Sequence, residues 1–76
     1  VYYNRMDDYR DILKEIGFKL RLERIRQNLS QEKFAEKANV HTNYIGKIER
    51  GEQNLTIKKL VNLANTLNIK TQDIFK

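Results

Sequence analysis

Residues 29–51, L-S-Q-E-K-F-A-E-K-A-N-V-H-T-N-Y-I-G-K-I-E-R-G, carry two short helical periodicities that meet at a residue suited to a sharp corner. Ser30 can cap the first helix, because its hydroxyl can accept from a backbone N–H that a helix start leaves unpaired. Phe34, Ala35 and Ala38 follow at helical spacing and form the inward side. Asn39 ends this helix, since Asn tolerates the left-handed backbone conformation that a tight interhelical turn demands. Val40, Ile45 and Ile48 then put apolar groups on one side of a second helix, which Gly51 stops.

The other side of that second helix is polar and slim. On a helical wheel Asn43, Gly46, Lys47 and Arg50 cluster opposite Ile45 and Ile48, with Thr42 exposed near the first turn. Gly46 costs about 1 kcal/mol relative to Ala inside a helix, which makes sense if something must approach the helix closely there. A DNA major groove would do so; a tolerated surface glycine is the plainer alternative.

The rest of the chain reads as helix. A first helix is expected to begin between Met6 and Tyr9 and to run to about Gln27, followed by helices over 31–38 and 42–49. Thr56 can cap a fourth, with Ile57, Leu60, Val61, Ala64 and Leu67 at steps of three and four, and Thr71 a short fifth containing Ile74 and Phe75. There is no proline and no persuasive strand, so the fold class is all-α, five helices in one domain. Residues 1–11 form an N-terminal arm and the start of the first helix, and 12–76 the compact domain.

The first helix carries two apolar stripes. Tyr9, Leu13, Ile16 and Leu20 lie on one side, and Phe18, Leu22 and Ile25 on nearly the opposite side. One of the two must face the core. The second needs cover, either from Val1, Tyr2 and Tyr3 folding back or from a partner subunit.

Seventy-six residues bury only about 60% of the surface of their unfolded chain, so a partner subunit would add needed stability. No cysteine is present, which removes disulfides and thiolate metal sites, and one His cannot make a zinc centre. No apolar run approaches a membrane span and no signal peptide is visible, so a cytoplasmic protein is expected. No metal or cofactor is expected, and no enzyme: phosphate loop, convincing carboxylate pair and companions for His41 are all missing.

Net charge is +5, unevenly spread. Residues 1–16 carry three basic and four acidic groups, whereas 17–59 carry ten basic and five acidic. Lys and Arg commonly decorate solvated helices, but here the excess coincides with the two-helix device and becomes an electrostatic footprint for nucleic acid.

With these residues in view, the chain resembles the Cro/phage-repressor type of helix-turn-helix domain, also called the xenobiotic-response-element family. The likeness runs from about Gly17 to Phe75: G-F-K-L-R-L-E-R, L-S-Q-E-K-F-A, Y-I-G-K-I-E-R-G, L-T-I-K-K-L-V-N-L-A-N-T-L and a final D-I-F. It implies a lambda-repressor-like fold and a sequence-specific transcriptional regulator of double-stranded DNA, associated with the nucleoid when bound. Leu20 matches a core position of the family, which implies that the first stripe of the first helix faces inward. By this resemblance Thr42, Asn43 and Lys47 read base edges, chemistry that suits the major-groove pattern. Gln31, Arg50, Asn54 and Lys58 are expected on phosphates; Gln31 lies where a helix start favours anions. Lys59 and Gln53 are weaker candidates, and Tyr44 belongs either to the core edge or to a phosphate. Arg24 and Glu49 match positions that often pair to tie the first helix to the reading helix. His41, where Ser or Thr is usual, is expected to be a poor cap.

The resemblance also implies a homodimer reading an inverted repeat, with half-sites about 34 Å apart. Ile69, Ile74 and Phe75 are the expected interface, although they could instead close the subunit's own core. The stretch Y-I-G-K-I-E-R-G-E-Q-N-L-T-I-K-K-L is similar to controller proteins of restriction-modification systems, with Gln53 where Arg is common there. A phage or mobile-element autoregulator is the alternative subtype. Either could block or recruit RNA polymerase at a promoter. A different class stays open: a protein-interaction adaptor or antitoxin using residues 42–50 against an acidic partner.

Overall fold

The computed structural model describes residues 8–75. Helix α1 spans Tyr9–Arg26, α2 Gln31–Ala38, α3 Thr42–Glu49 and α4 Ile57–Thr66, and a 3-10 turn covers Thr71–Phe75. The fifth helix expected from sequence is thus a 3-10 turn; five residues are too few to repay the cost of starting an α-helix.

Each helix start is satisfied by a side chain. Ser30 Oγ accepts from the Lys33 N–H at 3.0 Å and Thr56 Oγ1 from the Lys59 N–H at 3.1 Å. Asp8 accepts from the Arg10 N–H at 2.9 Å. The Arg10 guanidinium also bonds this carboxylate, and together with the backbone N–H it holds the Asp8 carboxyl below the usual carboxylate range. His41 caps α3 through Nδ1, which accepts from the Asn43 N–H at 3.3 Å, a longer bond than those at Ser30 and Thr56 and in keeping with the poor cap expected there.

The helix ends share one device. Asn28, Asn39 and Asn68 have φ of 59°, 59° and 60°, and Gly51 has 75°. In each case the next residue's N–H donates to the carbonyl five positions back, Leu29 to Arg24, Val40 to Ala35, Glu52 to Lys47 and Ile69 to Ala64. This left-handed ending satisfies carbonyls that a helix end leaves free. Leu29, Val40 and Ile69 then turn inward against the core, which fixes the exit direction of α1, α2 and α4.

Phe34, Leu20, Ile45, Leu60, Leu63 and Leu67 are fully buried, each stabilising the fold by about 1.5–3 kcal/mol. Helix α3 packs on α1 and α2, and the 3-10 turn bridges α1 and α4. Three expectations change. Tyr9 is exposed, and α1 meets the core through Ile16 and Leu20, with Ile12 at its edge. Ile57 is exposed as well, because the apolar stripe of α4 runs through Leu60, Leu63, Ala64 and Leu67, and Leu63 takes the place given to Ile57. Ile74, expected at a partner surface, is buried in the subunit's own core, where the 3-10 turn inserts it between α1 and α4; Ile69 is half-buried beside that core, and Phe75 is exposed.

Phe18, Leu22 and Ile25 are each about half exposed, so the described residues leave the second stripe of α1 uncovered. Val1, Tyr2 and Tyr3, expected to cover it, lie outside the described residues.

Candidate nucleic-acid interface

Helix α3 is fixed from behind by two contacts with α1. Gly17 is buried, and a Cβ there would overlap the carbonyl oxygen of Ile48 and lie 3.0 Å from that of Glu49. The bare backbone of α1 therefore admits the last turn of α3. Two turns further along the same face of α1, Arg24 meets Glu49 in a two-pronged pair, Nε to Oε2 at 2.6 Å and Nη2 to Oε1 at 3.0 Å. The side chains are 11% and 3% exposed. Arg24 Nη1 also donates to the Leu29 carbonyl at 2.7 Å, so one guanidinium ties α1, the loop before α2 and the end of α3.

Glu49 has a further partner. Gln31 Nε2 donates to its Oε1 at 2.9 Å, which tethers the start of α2 to the end of α3. Glu49 is fully engaged, as a buried carboxylate must be.

With α3 held this way, its outward side forms a concavity of about 220 Å³ lined by Gln31, Thr42, Asn43, Gly46, Lys47 and Arg50. All three residues expected to read bases are here. Asn43 and Lys47 are exposed, and Thr42 is half-buried at the edge rather than fully outward. Gly46 is not bare as expected: it is buried, and a Cβ there would stand 3.2 Å from Arg50 Nη1 and 3.9 Å from Gln31 Oε1. The absent side chain is replaced by the Arg50 guanidinium lying across the helix.

Of the four residues expected on phosphates, Gln31 and Arg50 share this concavity, whereas Asn54 and Lys58 do not. Lys58 is exposed in the first turn of α4, and Asn54 is exposed in the loop before it. Tyr44 belongs to the core edge. Its hydroxyl is buried with no hydrogen-bond partner among the described residues, and Lys59 Nζ stands 5.3 Å from its ring centre.

An apolar groove lies elsewhere, lined by Tyr9, Ile12, Leu13, Ile16, Asn54, Leu55, Ile57, Leu60 and Phe75. Tyr9, Ile57 and Phe75 are 65%, 71% and 55% exposed. Sequence reading placed Phe75 at such a surface but missed Tyr9 and Ile57, both of which it assigned to the core. Among the described residues no group of three His, Asp or Glu could hold a metal ion, and no helix is long and apolar enough to cross a membrane.

Residues 20–74 match the helix-turn-helix family model. The chain is 44% identical over 60 residues to control protein C.SmaI of Serratia marcescens, covering 79% of this chain and 71% of that one. It is 34% identical to control protein C.BamHI of Bacillus amyloliquefaciens, covering 76% and 73%. Among solved structures it resembles the restriction-modification controller protein C.AhdI from Aeromonas hydrophila, with TM-score 0.81 and 32% identity over 86% of this chain and 98% of that one. The controller protein C.Esp1396I, solved as a tetramer with its natural 35 base-pair operator, superposes with TM-score 0.77 and 33% identity, covering 84% of each chain. Both the helix-turn-helix geometry and these similarities place the chain: it belongs to the helix-turn-helix family, among the controller proteins of restriction-modification systems.

Proposed function

We propose that this chain regulates transcription by binding a specific double-stranded DNA site as a homodimer, with the outward side of α3 in the major groove. The observation that carries this reading is the polar concavity of α3, where Thr42, Asn43 and Lys47 converge on a helix braced by the Arg24–Glu49 pair. An α-helix fits the major groove, and each base pair there shows a distinct pattern of donors and acceptors. Asn43 suits the N6 and N7 edge of adenine, Lys47 suits guanine O6 and N7, and Thr42 suits a thymine methyl or a nearby phosphate.

Contacts to phosphate set the register of that helix. Gln31 offers the first turn of α2, where unpaired N–H groups and the helix dipole attract an anion. Asn54 and Lys58 flank the reading helix on the α4 side, and Arg50 adds positive charge to the same surface.

Two copies are needed to read an inverted repeat. We assign the subunit contact to the groove bearing Phe75, Tyr9 and Ile57, since these large apolar groups stand together in solvent in the single subunit. Ile69 contributes at most an edge, and Ile74 is spent on the core. The sign of control over nearby genes then depends on where the site lies relative to the promoter, by blocking RNA polymerase or by recruiting it.

Selection from randomised duplex DNA, followed by sequencing, tests this reading. The expected product is a palindromic site with half-sites about 34 Å apart. Capture of an acidic protein partner with no enriched DNA site would instead identify an adaptor.

A further inference from the structure

We infer that Arg50 reads a base, resting on the DNA-binding role proposed for α3, and that Gly46 exists to let it. Arg50 caps the C-terminal end of α3, so a phosphate outside the groove would be its simplest ligand. Its side chain instead turns back across the helix. Nη1 lies 3.2 Å from the point where a Cβ of residue 46 would stand. The guanidinium shares one concavity with Thr42, Asn43 and Lys47, the three groups assigned to bases.

One edge of its fork is already engaged. Arg50 Nε donates to Glu52 Oε1 at 3.1 Å, which leaves the terminal edge carrying Nη1 and Nη2 without a hydrogen-bond partner among the described residues. That edge is the one that bonds guanine O6 and N7 in a bidentate contact. Gln31 helps from the other side. Its Nε2 is tied to Glu49, and its Oε1 faces the space over Gly46, 3.9 Å from the same point. A carbonyl acceptor there favours the cationic guanidinium of Arg50.

Gly46 then has a function unlike the one its sequence position suggested. The glycine leaves room beneath a guanidinium, so that Arg50 lies low enough to enter the groove with α3. An alanine would place a methyl 3.2 Å from Nη1, tighter than ordinary contact, so the flexible guanidinium would have to shift outward by a few tenths of an ångström. Alanine has the higher helix propensity, so this substitution tests Arg50 without weakening α3.

The experiment measures affinity for the selected palindrome and for every single-base-pair variant of it, using the wild-type chain, Arg50→Lys and Gly46→Ala. Thermal melting of each confirms folding. Arg50→Lys keeps the positive charge and removes the fork. It should lower discrimination at one base pair per half-site, mirrored about the two-fold axis, by about 10- to 100-fold. Gly46→Ala should flatten preference at that same base pair while melting no lower than wild type. Losses spread evenly over all base pairs for both variants would make Arg50 a phosphate clamp and overturn the inference, leaving the regulator reading intact. Failure of the wild-type chain to select any palindrome would overturn both.

Discussion

The carbonyl oxygen of Ile48 occupies the place that a side chain on Gly17 would need. Two backbones meet there without intervening atoms, and this contact sets how far α3 stands out from α1. Gly17→Ala must therefore push α3 away from its support. Backbone yields less than a side-chain tip, so the cost should reach or exceed the upper end of the 1–3 kcal/mol, roughly, seen for overpacking. Urea unfolding measures it, and an unchanged midpoint would show that the two helices separate freely.

The Arg24–Glu49 pair is the second brace. Both side chains are nearly out of solvent, so Arg24→Ala strands a buried carboxylate and should destabilise the fold by about 3–5 kcal/mol. Glu49→Gln removes the charge and keeps the shape, and should lower both the melting temperature and the affinity for the selected site. If neither moves, the pair does not orient α3.

Asn39 holds the corner between α2 and α3 with φ 59° and ψ 47°. Asn39→Gly should be neutral or slightly stabilising, because glycine adopts this conformation freely. Asn39→Val should be less stable than the glycine variant by at least about 1–2 kcal/mol. Equal melting temperatures for the two would mean that the corner is not under conformational control.

Much of this corner was legible. Ser30, Asn39 and Gly51 marked the limits of α2 and α3 because caps and left-handed exits are chemical requirements of single residues. The same pair, an asparagine followed by an aliphatic residue, stands at two further helix ends, Asn28-Leu29 and Asn68-Ile69, but also in a loop at Asn54-Leu55 and inside α4 at Asn62-Leu63, so the pair alone does not mark an end. Periodicity was a poorer guide at helix starts. Tyr9 and Ile57 fit the apolar spacing but project beyond the core, since periodicity gives a side of the helix and not how far along it the neighbouring helices reach. Pairwise geometry across the fold was legible only where the family resemblance supplied it, at Arg24 and Glu49; nothing in the chain order says that Gly17 faces a carbonyl or that Arg50 folds over Gly46.

The exposed groove around Phe75 carries the subunit contact in this account. Phe75→Glu or Ile57→Lys should leave the melting of the subunit core little changed, because both side chains face solvent, and should convert dimers to monomers in sedimentation. Wild-type chains that sediment as monomers, both free and on DNA, would reject a dimer built on this face.

Lys58 stands apart from the concavity and is assigned to phosphate. Lys58→Ala should weaken binding to specific and random DNA alike and should lower the slope of log affinity against log salt by about one. An unchanged slope would remove Lys58 from the contact surface.

Asn43 offers the most direct test, since it lies in the concavity, exposed, on the side of α3 held outward by Gly17 and Arg24. Affinities of wild type and Asn43→Ala should be compared on the selected site, on its single-base-pair variants and on random duplex. If α3 reads the major groove, the variant loses preference at one base pair in each half-site, worth about 1–3 kcal/mol, while its binding to random DNA falls far less. Equal losses on specific and random DNA would contradict that reading.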